Sequence, residues 1–160
     1  MLLDAERFYV GHLKRSWVPG YLAARGLHPA LAAQWHIGYA PAGWTALISH
    51  LRNLGHDDAL IEAAGLARRS SRGTLIDHFR DRVMLAVRDE HGMVAGFIGR
   101  ARPEAGPAVP KYLNSPETSA TRRATCCSAC MRLATGLLGA PCPSSSRARS
   151  TPSLLPLPIR

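Results

Sequence analysis

Apolar and polar positions alternate most regularly in the middle of the chain. From Arg82 to Arg88, Val83, Leu85 and Val87 share one face of an extended strand, and Arg82, Met84, Ala86 and Arg88 share the other, because successive side chains point to opposite sides. A second aliphatic run extends from Met93 to Arg100. Between the two, Asp89-Glu90-His91-Gly92 places a glycine where a four-residue hairpin loop needs positive φ. The pattern predicts a β-hairpin with one face in a core and the other carrying guanidinium groups.

Upstream the period changes. Ala5, Tyr9, Leu13 and Trp17 recur at four-residue spacing with Phe8 alongside, which predicts an amphipathic helix ended by Pro19-Gly20. A short helix over Gly20 to Arg25 stops at Gly26. Pro29 suits the first turn of a third helix, ending near Trp35 or His36, since proline lacks only an N–H that is unpaired there anyway. Ile37 to Pro41 reads as a strand or extended turn. Trp44 to Leu54 places Leu47, Ile48, Leu51 and Leu54 on one helical face, and Asp57 or Asp58 can cap a helix running through Ala64. Arg68 to Gly73 is a polar loop, and Pro103 to Pro110 is a Gly/Pro-rich connection that delivers Lys111. Trp17, Trp35 and Trp44 have the spacing of core residues. Helices first and a small antiparallel β-sheet second make an α+β fold, followed by a tail that is expected to be disordered.

Charge divides the chain rather than describing it. Residues 1–118 hold 14 Lys or Arg and all 11 Asp or Glu, a net of +3, whereas residues 119–160 hold 6 Arg and no acid, so the tail supplies two thirds of the total of +9. The net basicity therefore says little about the folded part; only the placement of its cations matters. No apolar run approaches the roughly 18 residues of a membrane span, and the opening Met1-Leu2-Leu3 gives way at once to Asp4, Glu6 and Arg7, so a cytoplasmic protein with no membrane partner is expected. All four cysteines lie in the tail. Cys127 and Cys130 form a Cys-x-x-Cys with no second pair at finger spacing, so no metal site is expected.

The hairpin region also carries a family resemblance. Phe79-Arg80-Asp81-Arg82-Val83-Met84, Asp89-x-x-Gly92, Gly96-Phe97-x-Gly99-Arg100 and the unbroken run Pro110-Lys111-Tyr112-Leu113-Asn114-Ser115-Pro116-Glu117-Thr118 resemble the polymerase core of bacterial replicative DNA primases. Tyr21-Leu22-x-x-Arg25-Gly26-Leu27 and Ile37-Gly38-Tyr39-Ala40-Pro41-x-Gly43-Trp44 fit the same family in the same order. The resemblance covers roughly residues 5–118. It implies residues 1–118 as the N-terminal subdomain of a primase catalytic core, truncated before the Toprim domain. That domain holds the family's Mg²⁺, so no cofactor is expected in this chain. The sequence departs from the family at Leu85-Ala86-Val87, where Phe-Pro-Ile is usual after the methionine, and at Ile98-Gly99, where a Gly pair is usual.

Through the resemblance, Arg25, Arg100 and Lys111 match basic positions that face single-stranded template DNA, and Asn114 matches a polar position beside the active-site groove. The chemistry of the side chains agrees. Arg and Lys hold phosphates without reading sequence, and Tyr112 can stack on a base for roughly 1–3 kcal/mol. Arg82, with Arg80 and Arg88, is a weaker candidate, because arginines on a strand commonly form a solvated face or pair with nearby acids. Joining nucleotides needs carboxylates that hold Mg²⁺. Asp77, Asp81, Asp89, Glu90 and Glu117 are scattered, so no catalysis is expected from the chain alone. The expected partner is single-stranded DNA, with a replicative helicase for the full-length family.

The tail has an unusual vocabulary. Residues 119–160 contain no Asp, Glu, Asn, Gln, Lys, His, Phe, Tyr or Trp, which is what out-of-frame translation of a GC-rich gene produces. With GC-rich codons read one base earlier, residues 144–154 can spell Val-Val-Val-Glu-Gly-Pro-Leu-Asp-Ala-Leu-Ala, similar to the opening of a Toprim domain. A frameshift near residue 119 is therefore expected. The competing expectations are a non-catalytic basic nucleic-acid-binding protein acting through its tail, and an inactive pseudogene product.

Overall fold

The computed structural model describes residues 1–116. The tail, with its four cysteines and the expected frameshift, lies outside them. Five helices and six strands follow in the order α1 (Leu2–His12), α2 (Val18–Ala23), α3 (Pro29–Gln34), β1 (Gly38–Ala40), α4 (Ala46–Asn53), α5 (Asp58–Ala63), β2 (Ala67–Arg69), β3 (Leu75–Asp77), β4 (Arg82–Arg88), β5 (Val94–Ala101) and β6 (Tyr112–Asn114), with one 3₁₀ turn over Leu13–Arg15. Strands β1, β4, β5 and β6 form an antiparallel sheet in that order, and β2 pairs with β3 in a separate ribbon. The architecture is the α+β arrangement that the periodicities imply.

The hairpin β4–β5 forms where the alternation places it. Gly92 takes φ of 75°, and the Asp89 carboxylate closes the loop by accepting from the N–H groups of His91 and Met93 at 3.0 and 2.9 Å. What the alternation does not show is that the sheet is covered on both sides. Val83, Leu85, Val87 and Ile98 pack with Val18, Leu22, Ala32 and Ile37 from α2, α3 and the approach to β1. Met84, Ala86 and Phe97 pack with Phe8, Tyr9, Leu47, Ile48, Leu51 and Ile61 from α1, α4 and α5. Each fully buried aliphatic or aromatic side chain contributes about 1.5–3 kcal/mol, so both layers anchor the same two strands. The expected guanidinium face is absent. Arg82 is only 5% exposed, and Arg88 turns its guanidinium to the buried Glu6 carboxylate of α1.

Three local expectations are corrected, and one helix cap is supplied from an unexpected distance. Pro19 opens α2 in its first turn rather than ending α1, for the same reason that Pro29 opens α3. The polar stretch after α5 contains strand β2, which pairs Arg68 with Ile76 and Arg69 with Leu75. Helix α4 takes its cap from a distance. Thr45 makes no side-chain cap, whereas Asp77 accepts from the backbone N–H groups of Leu47 and Ile48 at 2.9 and 3.1 Å. Burial pushes the Asp77 carboxyl above its ordinary value, and these backbone bonds work against that push. Finally, Trp44 is not core: it is 59% exposed, with the Arg80 guanidinium 3.4 Å from its ring centroid.

Candidate nucleic-acid interface

Strand β6 is short, and side chains reinforce its ladder with β5. Arg100 lies opposite Tyr112 and Ile98 opposite Asn114 in the antiparallel register. Arg82 reaches beneath the connection and donates through Nη1 to the carbonyl of Pro110 at 2.8 Å and of Gly99 at 3.4 Å. His78 donates through Nε2 to the Asn114 carbonyl at 3.3 Å. A Cβ on Gly99 would lie 2.8 Å from Phe79 Cδ1 and 3.0 Å from Arg82 Cδ. Only glycine lets these two side chains pass under the strand. Arg82 therefore works inside the protein, where burial and the neighbouring Arg80 lower its guanidinium pKa.

With β6 in place, three of the cations singled out from the sequence converge on two tyrosine rings. The Arg25 guanidinium lies 4.8 Å from the Tyr21 ring centroid, and Arg100 lies 5.1 Å from the same ring. Arg100 is also 5.6 Å from the Tyr112 ring and donates through Nη1 to the Tyr112 hydroxyl at 3.2 Å. Lys111 Nζ is 5.6 Å from the Tyr112 ring. The order Arg25, Tyr21, Arg100, Tyr112, Lys111 alternates cation and ring across α2, β5 and the start of β6. A cation seated within about 6 Å of an aromatic face gains roughly 0.5–1 kcal/mol at an exposed site and keeps its full charge. Arg25 and Lys111 are exposed, and neither forms an ion pair with an acid among the described residues.

Tyr21 was not singled out from the sequence, although it lies four residues before Arg25; the chain leaves α2 at Ala23, and the turn that follows brings Arg25 back over the Tyr21 ring. Burial raises its phenol pKa, opposed by Arg100 and Arg25, and its hydroxyl has no hydrogen-bond partner among the described residues. Asn114 contributes its backbone to the sheet and to His78. Ile98, at the departure from the Gly pair, is 3% exposed and belongs to the apolar cluster against which Tyr21 and Tyr112 pack, so its side chain lies in the core beneath the row. Arg80 lies apart from this row, on Trp44.

The carboxylates do not gather. Asp77 caps α4, Asp89 closes the hairpin, and Asp81 accepts from Trp17 Nε1 and the Tyr39 hydroxyl, each at 2.8 Å. No three His, Cys, Asp or Glu side chains among the described residues are placed to hold a metal ion. None of the described helices is long and apolar enough to cross a membrane.

Fold and surface together define an α+β domain with a basic, aromatic-lined edge built on a central antiparallel sheet. The family model described as "DNA primase catalytic core, N-terminal domain" matches residues 8–125, and the chain belongs to that family. It is 40% identical over 126 residues to the DNA primase of Pseudomonas aeruginosa, covering 74% of this chain and 18% of that protein. It is likewise 40% identical over 114 residues to the DNA primase of Deinococcus radiodurans, covering 68% of this chain and 19% of that protein. The chain thus spans less than a fifth of the length of these curated relatives. Among solved structures it is similar to the RNA polymerase domain of the Mycobacterium tuberculosis primase, with a TM-score of 0.69, 33% identity and coverage of 74% of this chain and 39% of that one. It is also similar to a primase catalytic domain bound to single-stranded DNA, with a TM-score of 0.64, 35% identity and coverage of 74% and 38%.

Proposed function

We propose that this domain holds the single-stranded DNA template of a primase along the row Arg25, Tyr21, Arg100, Tyr112 and Lys111. The observation that carries the reading is the seating of three cations on two tyrosine rings that come from separate elements. Phosphates meet the exposed Arg25 and Lys111, while Arg100, only 7% exposed, adds positive charge from beneath the two rings. Bases lie against the exposed parts of the rings, and none of these contacts reads sequence. Arg82 and His78 act one step back, by holding β6 at the right height. Asn114 belongs to the edge of the groove through its place on β6.

Primer synthesis is the activity of the longer protein to which such a domain contributes. Asp77, Asp81 and Asp89 are committed to internal bonds, and in this reading the domain's own part is to bind and orient the template. In this reading residues 119–160 are an out-of-frame product of the gene. A replicative helicase partner and a cytoplasmic site of action rest on family membership alone.

Fluorescence anisotropy of labelled oligo-dT with the full chain at low salt tests the reading. Lys111→Ala combined with Arg25→Ala is expected to weaken binding about ten-fold or more, and unchanged affinity overturns the site. The arginine-rich, acid-free tail favours one other reading, in which the tail does the binding. Deletion of residues 119–160 then abolishes binding, whereas template binding by the row survives the deletion.

A further inference from the structure

Beyond the row just described, Trp17 joins its end and carries a fourth cation. The Trp17 and Tyr21 rings meet edge to face with centroids 5.5 Å apart, and the Arg102 guanidinium lies 5.6 Å from the Trp17 centroid. Trp17 itself is fixed. Its Nε1 donates to Asp81 Oδ1 at 2.8 Å, and the Tyr39 ring packs against it edge to face at 6.3 Å. The Tyr39 hydroxyl donates to the same Asp81 oxygen at 2.8 Å, leaving Oδ2 to face Arg102 Nε at 3.6 Å. Glu104 Oε2 lies 3.8 Å from the same nitrogen. Asp81 adopts this position with φ of 49°, a conformation rare for a residue other than glycine and found where the surroundings over-determine it.

This cluster has the same construction as the row. Arg102 is 43% exposed at its side chain, its two acid contacts lie beyond hydrogen-bond distance, and its stem rests on an indole. It follows Arg100 by two residues across the end of β5. A carboxylate that only balanced charge would need no indole and no phenol aimed at its other oxygen. Here those two donors hold Asp81 where it steers Arg102 without closing a tight pair.

We infer that Arg102 is a further phosphate contact of the nucleic-acid path, lengthening it past Tyr21, and that Trp17 and Asp81 are the positioning residues that hold it there. The inference rests on the template-binding reading above. Its ligand is the sugar-phosphate backbone of single-stranded DNA, and no base is read at this step.

Two measurements on the full chain test it. The first is the salt dependence of oligo-dT affinity for the parent, Arg102→Ala, Lys111→Ala and, as a remote control, Arg72→Ala in the β2–β3 loop. Each phosphate contact on a single strand adds about 0.7 to the slope of log affinity against log salt. Arg102→Ala is expected to lower affinity about three- to ten-fold and to flatten the slope by about 0.7, with Arg72→Ala unchanged. The second is the fluorescence of Trp17 in a chain carrying Trp35→Phe and Trp44→Phe, where oligo-dT is expected to shift or quench the emission. If Lys111→Ala flattens the slope and Arg102→Ala does not, the extension is overturned and the row stands. If neither does, the template-binding reading itself has failed. Asp81→Asn keeps the acceptor for Trp17 and Tyr39 and removes the charge facing Arg102. It is expected to leave thermal stability near the parent while changing oligo-dT affinity, and an affinity equal to the parent's would make Asp81 merely structural.

Discussion

The two sides of the central sheet treat their cations differently. On the side of α1, α4 and α5, most arginines and histidines meet acids: Arg88 meets Glu6, Arg52 meets Asp58 at 2.7 Å, Arg69 meets Glu62 at 3.1 Å, and His56 meets Asp4 at 3.1 Å, with Arg80, seated on Trp44 just before α4, the exception. On the side of α2 and α3, Arg25, Arg100 and Lys111 lie against tyrosine rings. A carboxylate neutralises the charge it holds, whereas a ring positions a cation and leaves its charge available. In the template-binding proposal the first side uses its cations for the fold, and the second leaves the exposed Arg25 and Lys111 for the DNA. Net charge, +3 for residues 1–118, conceals the difference, because it adds both sides together.

The sharpest way to break this comparison is to remove a partner from the first side. Glu6 is 3% exposed, and Glu6→Ala leaves the half-buried Arg88 without its carboxylate. The expected cost is about 2–3 kcal/mol of stability, read by urea unfolding, with oligo-dT affinity of the folded protein unchanged. Next comes Asp77→Ala, which removes two buried cap bonds from α4 and is expected to cost about 2 kcal/mol, again without effect on affinity. On the second side the pattern reverses. Arg25→Ala is expected to leave the unfolding midpoint within about 0.5 kcal/mol of the parent and to weaken oligo-dT binding several-fold, as anisotropy would show.

The smallest effect concerns the link between the sides. Burial holds the His78 pKa below its ordinary value of 6.5, so the unfolded chain binds a proton before the fold does. The stability this neutral ring supports is full above about pH 6.5 and is lost as the pH falls below it, by less than about 1 kcal/mol per pH unit. His78→Gln, which keeps a donor for the Asn114 carbonyl, is expected to flatten that part of the stability profile between pH 7 and 5. An unaltered profile would remove His78 from the account of how β6 is held.

Much of this contrast was open to sequence reasoning, in uneven degree. The hairpin was legible because Val83, Leu85 and Val87 alternate and Gly92 sits at the turn. The second buried face was not, because Arg82 and Arg88 at the strand ends imitate a solvated surface; their partners, Pro110 and Glu6, are far away in sequence. Asp77 as the cap of α4 was hidden for the same reason, since the cap lies 30 residues beyond the helix start. Ribbon β2–β3 was missed because three-residue strands carry no readable period. Of the row, Arg25, Arg100, Lys111 and Tyr112 came from motifs, and Tyr21 had its own signal in the four-residue spacing to Arg25. Trp17 as the seat of Arg102 had none, because helix packing and cation support use the same aromatic residue types.

The most direct test of the central claim sets one cation from each side against the other. The salt dependence of oligo-dT binding is measured for the full chain, for Lys111→Ala and for Arg52→Ala, both exposed and both losing one positive charge. If ring-seated cations serve the ligand and acid-paired cations serve the fold, Lys111→Ala flattens the slope by about 0.7 and Arg52→Ala leaves it unchanged. Equal slopes for the two variants would contradict the account, since binding would then follow total charge and not its placement.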